Sequence, residues 1–99
     1  MSVVKRQPTA EEDLSEIWNY IADDSIQEAD KLIRKISETF LLLADNPRMG
    51  SRREGLAEGL RAFPIKSYMI YYRPHGEKEG IVVVRVLNAT QDITKSHFE

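Results

Sequence analysis

Residues 60–73 read LRAFPIKSYMIYYR and residues 81–88 read IVVVRVLN; whether these are strands decides the fold. The first stretch holds Phe63, Tyr68, Tyr71 and Tyr72, four of the seven Phe and Tyr residues of the chain, beside Arg61, Lys66 and Arg73. Beta-branched and aromatic residues in short runs suit a pleated, half-buried surface, so the pattern predicts strands over 60–65, 68–73 and 81–88. Alternation puts Tyr68, Ile70 and Tyr72 on one face and Met69, Tyr71 and Arg73 on the other. Divided in this way, the tyrosines mainly pack and do not form a single stacking platform for nucleic acid. In residues 81–87 both faces are apolar except at Arg85, the pattern of a central strand covered by the helices on one face and leaving the other for something else to cover. PHGEKEG at 74–80, with Gly76 and Gly80, reads as the connection between the last two strands.

Working toward the N-terminus, Val3–Arg6 reads as a short strand ended by Pro8. Thr9-Ala10-Glu11-Glu12 has the form of a capping box, so a helix is expected to begin there. Ala10, Leu14, Ile17, Trp18 and Ile21 recur at helical spacing, with Trp18 expected in the core. A second box, Ser25-Ile26-Gln27-Glu28, ends that helix near Ala22 and starts another. Its inward stripe is Ala29, Leu32, Ile33, Ile36, Phe40, Leu43 and Ala44, with Leu41 and Leu42 expected to widen the buried face. Asn46-Pro47 closes it, because proline pushes the preceding residue out of helical geometry. Residues 47–59 read as a surface loop, and 89–99 are too polar to place. The order β-α-α-β-β-β predicts an α+β fold: an N-terminal strand and an antiparallel helical hairpin packed on a mainly antiparallel sheet, one domain over 1–99.

Ninety-nine residues, 41% hydrophobic and 30% charged, suit one two-layer core. No apolar run is long enough for a bilayer and no leader is evident, so a cytoplasmic chain with no membrane role is expected. The absence of cysteine excludes disulfides, thiolate zinc sites and a cysteine nucleophile. His75 and His97 lie far apart in sequence, and no glycine-rich phosphate loop is present, so neither a metal nor a cofactor is expected. The net charge of −2 conceals an asymmetry: residues 1–46 carry ten acidic and five basic side chains, residues 47–99 six acidic and nine basic. Such a small basic excess suits a protein partner better than bare nucleic acid. Arg61, Arg73 and Arg85 are the candidate functional cations, and Arg85, within an apolar strand, requires either a carboxylate partner or a bound anion.

Five segments in this order are similar to a known family: D-L-x-x-I-x-x-Y-I-A at Asp13–Ala22, I-x-x-x-F-x-x-L-A-x-x-P-x-x-G at Ile36–Gly50, G-L-R-x-F-P at Gly59–Pro64, Y-x-I-x-Y-R at Tyr68–Arg73 and R-V-L at Arg85–Leu87. The chain resembles the ParE branch of the RelE/ParE toxins of type II toxin-antitoxin systems. The resemblance implies the same fold, a cognate ParD-like antitoxin in a hetero-oligomer, contact with DNA only through that antitoxin, and inhibition of DNA gyrase by binding rather than by enzymatic chemistry. It also implies two alternatives: a ribosome-dependent mRNA endoribonuclease of RelE type, with Arg61 and Arg85 holding phosphate, or a non-toxic antitoxin-binding homologue. ParE-like chains often continue after R-V-L with His and then Arg before Asp. This chain has Asn88 and Gln91 before Asp92, which marks Asn88, Gln91 and Asp92 as a candidate C-terminal functional region.

Overall fold

Residues 2–99 are described by the computed structural model. In chain order the elements are β1 (Val3–Arg6), α1 (Pro8–Ala22), α2 (Ile26–Asp45), β2 (Ser51–Arg52), β3 (Arg61–Ile65), β4 (Tyr68–Pro74) and β5 (Gly80–Asn88), then a 3-10 turn at Lys95–Phe98. The sheet runs β1-β5-β4-β3-β2, with β1 parallel to β5 and the other pairs antiparallel. No helix among the described residues is long and apolar enough to cross a membrane.

The apolar content of β5 places it between two layers, as the alternation predicts. Ile81, Val83 and Val86 pack with Ile70 and Tyr72 beneath Leu14 and Ile17 of α1 and Ile36, Phe40 and Leu43 of α2. On the other face Leu60, Ala62, Tyr71, Val84 and Leu87 form a second cluster, closed by Leu56, Ile93 and Phe98. Phe98 meets Tyr71 edge-on with ring centroids 5.0 Å apart, so the polar tail is anchored by two apolar residues. A register shift between Tyr71 and Tyr72 changes which β5 residues oppose them, Arg85 and then Val83. The extra β5 residue lets Val83 and Val86, three apart, serve the same cluster, which strict alternation would forbid. Gly80, at φ 125°, is where β1 crosses closest: a side chain there would run into the Val3 backbone.

Several expectations are corrected. Thr9 does not cap α1: the helix begins at Pro8 with Gln7 as an N-cap that makes no side-chain bond, since proline suits the first helical position and the Thr9 hydroxyl is used by the sheet. The Ser25 cap forms, its Oγ accepting from the Glu28 amide at 3.2 Å. Leu41 and Leu42 are 61% and 48% exposed; at 100° per residue they rotate past the stripe that Phe40, Leu43 and Ala44 occupy. Trp18 is half-buried at the flank of the stripe, where its indole N–H donates to Asp30 Oδ1 at 2.8 Å and ties α1 to α2. The 47–59 loop contains β2, two exposed residues whose strand character comes only from pairing with β3.

Candidate functional site

Strand β1 pairs with β5 only as far as Val83, and the Gln7 amide makes the last backbone bond to it at 3.0 Å. At Pro8 the chain turns into α1, and side chains of that helix take over the edge of β5. The Thr9 hydroxyl donates to the Val84 carbonyl at 2.9 Å, and Asp13 Oδ2 accepts from the Val86 amide at 3.0 Å. The same carboxylate receives Arg85 in a fork, Nε to Oδ2 and Nη2 to Oδ1, each at 2.8 Å. Arg85 Nη1 donates to the His97 carbonyl at 3.0 Å. The Arg85 side chain is 22% exposed and that of Asp13 7%. The bond to Asp13 raises the Arg85 pKa against the opposing effect of burial, so the guanidinium is charged throughout the accessible pH range. Arg85 has found the carboxylate that its position in an apolar strand requires.

Beside this pair, Glu16, Ile17, Tyr20, Tyr68, Asn88 and Gln91 line a cleft between α1 and the end of β5. Three of the sequence candidates, Arg85, Asn88 and Gln91, therefore meet. Asn88 Oδ1 accepts from the Thr90 amide and hydroxyl at 2.9 and 2.7 Å, folding the turn after β5, and Gln91 Nε2 lies 3.3 Å from His97 Nε2. Asp92 is exposed and lies outside the cleft lining. Tyr20, 77% exposed, is the largest apolar surface at the rim.

Arg61 lies toward the opposite edge of the sheet. Its Nη1 donates to the Gly50 carbonyl at 2.7 Å and the Arg48 carbonyl at 3.2 Å. Across the ladder from it, the Tyr72 hydroxyl donates to the Pro47 carbonyl at 2.9 Å and accepts from the Gly50 amide at 2.8 Å. Glycine is required at 50, because a Cβ would sit 2.5 Å from the Tyr72 hydroxyl and 2.8 Å from the Ala62 carbonyl. Burial raises the Tyr72 pKa above its ordinary value, opposed by the Gly50 hydrogen bond and the Arg61 charge. Tyr72 is thus a buried neutral strut with both hydroxyl bonds committed. Arg73 is half-buried and pairs in register with Val82.

The family model for the ParE toxin of type II toxin-antitoxin systems, parDE, matches residues 4–93. This chain belongs to the ParE toxin family. Among ParE relatives, Toxin ParE1 of Mycobacterium tuberculosis is 31% identical over 90 residues, spanning 90% of this chain and 91% of the relative. Toxin ParE3 of Caulobacter vibrioides is 27% identical over 92 residues, spanning 92% and 89%. The chromosomal ParDE system from P. aeruginosa superposes with a TM-score of 0.72 at 22% identity, covering 89% of this chain and 96% of that one. The RelBE2 toxin-antitoxin complex of M. tuberculosis gives 0.64 at 23%, covering 88% and 96%. At these identities the structural likeness is one of fold. Within this ParE-family chain, sequence reasoning had not singled out Asp13. Its signal was an acid between Ala10 and Leu14 on the inward stripe, opposite in charge to the lone arginine of β5.

Proposed function

We propose that this ParE-family toxin inhibits DNA gyrase by binding it, without making or breaking covalent bonds, and that a ParD-like antitoxin neutralises it. The observation that carries this reading is the commitment of Arg85 to Asp13 and the His97 carbonyl. A phosphate-cleaving site of RelE type needs free cations beside a group that exchanges protons. Here Arg61 reaches the Pro47–Gly50 loop at one side of the sheet, while Arg85 reaches α1 at the other. Tyr72, the ionisable neighbour of Arg61, is buried with its hydroxyl bonds in use.

The antitoxin reading is supported by the cleft beside α1. Beyond Val83 the β1 side of β5 is held by Thr9 and Asp13 of α1, and beside them exposed Tyr20 with half-buried Tyr68 offers apolar surface in the cleft. A partner segment laid there would gain apolar burial worth about 25 cal/mol per Å². The two solved structures of like fold are a ParDE toxin-antitoxin system and a RelBE toxin-antitoxin complex.

The test is a supercoiling assay with purified toxin whose folding is verified by circular dichroism. Supercoiling should be lost at a several-fold excess of toxin and restored by equimolar antitoxin. Undiminished gyrase activity in the presence of folded toxin sinks the gyrase reading, and cleaved messenger RNA on toxin-treated ribosomes replaces it with the endoribonuclease one.

A further inference from the structure

The turn between β3 and β4 consists of Lys66 and Ser67, since Ile65 still pairs with Tyr68. Lys66 stands there at φ 55°, the one non-glycine residue with a left-handed backbone among the described residues. Glycine, asparagine or aspartate suits such a position, whereas a lysine there gains nothing for the backbone. Strain of this kind clusters at ligand sites. Lys66 lines a pocket together with Lys31 and Lys35 of α2. Those two stand one helical turn apart, a like-charge spacing that weakens a helix. The pocket has a volume of about 370 Å³, with Ile21 of α1 and Leu32 of α2 as its apolar lining and Glu28 as its acid. Ile21 and Leu32 are half-buried and packed against the main core, so they form a fixed floor, while the three lysines are exposed. The ion pairs among the described residues are Arg6–Glu11 and Arg85–Asp13. No carboxylate therefore neutralises these ammonium groups at close range, and three lysines against one glutamate leave the pocket positive.

We propose that this pocket binds a small organic polyphosphate, its phosphates held by Lys31, Lys35 and Lys66 and its apolar part laid on Ile21 and Leu32. Two locally unfavourable choices converge on one cavity: a lysine where glycine fits the backbone, and a lysine pair one turn apart. A bound anion gives the first a use and relieves the second. Lysine holds phosphate as a compact point charge, and no arginine lines the pocket to take a carboxylate in a fork. A volume of about 370 Å³ falls in the range of small-molecule sites and leaves room for more than a bare phosphate. A long polyanion fits less well. The helices that form most of the pocket belong to residues 1–46, with ten acidic side chains against five basic ones, which opposes a duplex whose affinity depends on many phosphate contacts. The pocket shares no lining residue with the cleft beside α1, and the proposal is independent of which cellular target the toxin has.

The experiment is an amide NMR titration of the full chain at about 50 mM salt, with ATP, inorganic pyrophosphate and a short duplex DNA as probes and no divalent cation. ATP should shift the amides of Ile21, Leu32 and Ser67, and pyrophosphate should bind more weakly because it has no apolar part. Lys31→Gln with Lys35→Gln should weaken ATP binding by about tenfold. Lys78→Gln with Lys95→Gln, exposed cations outside the pocket, changes the net charge equally and should leave binding as it is. Lys66→Gly should bind ATP more weakly while its urea midpoint rises, which separates a lost ligand contact from lost folding. The proposal is overturned by absent or differently placed amide shifts with ATP, by equal loss in the Lys78 and Lys95 variant, or by unchanged binding in Lys66→Gly. Pyrophosphate matching ATP, or the duplex binding this pocket more tightly than ATP, overturns it as well.

Discussion

Replacing Asp13 by Asn tests the joint between the helical layer and the sheet. The substitution keeps the shape and one carbonyl oxygen for the Val86 amide, but leaves the Arg85 guanidinium facing an amide in place of a carboxylate. Removing one partner of a buried pair costs about 3–5 kcal/mol. Arg85 is 22% exposed, so water reaches it in part and the lower end applies, about 3 kcal/mol. Against a total stability of roughly 5–15 kcal/mol for a domain this is a large fraction. With a slope of about 1.5 kcal/mol per M, the urea midpoint should fall by roughly 2 M. A paired comparison sharpens the test. Asp13→Leu alone strands both the arginine and the Val86 N–H, whereas Asp13→Leu with Arg85→Met leaves no unpaired charge, only the Val86 amide and the part-buried His97 carbonyl without their partners, at about 1–3 kcal/mol for the amide. The double variant should therefore be more stable than the single. If Asp13→Asn moves stability by less than about 1 kcal/mol, or the double variant is no better than Asp13→Leu, the account of this joint is wrong.

Two further outcomes follow from local geometry. Lys66, at φ 55° in the turn between β3 and β4, adopts a backbone that costs a side-chain-bearing residue about 1 kcal/mol, so Lys66→Gly should raise the urea midpoint, and a fall would refute the strain. Burial raises the pKa of Tyr71 and Tyr72 above 10.0: the unfolded chain releases these protons first, so the stability they lend is complete below pH 10 and lost as pH climbs through the raised values. Alkaline denaturation curves of wild type and Tyr71→Phe should diverge above pH 10, the variant losing less, and parallel curves would remove that link.

The strands were legible because their residues alternate, and the helices because apolar side chains recur at helical spacing. Errors fell where neighbours compete for the same group. Thr9 looks like a cap until the free edge of β5 claims its hydroxyl, and Ser51–Arg52 looks like loop until β3 lies beside it. At the candidate site, Arg85 was conspicuous as a cation among valines. Asp13 was concealed by its surroundings, because acidic residues are common on α1 and only an inward one has a different role.

The linear pattern determined this chain's two-layer architecture and the need for a counterion at Arg85, because alternation and charge burial depend on residue type and spacing. Tertiary structure alone decided which carboxylate answers that need, how α1 continues the edge that β1 leaves at Val83, and that Arg52 faces Arg61. Those are contacts between residues distant in sequence, set by register and by where one element stops and the next begins.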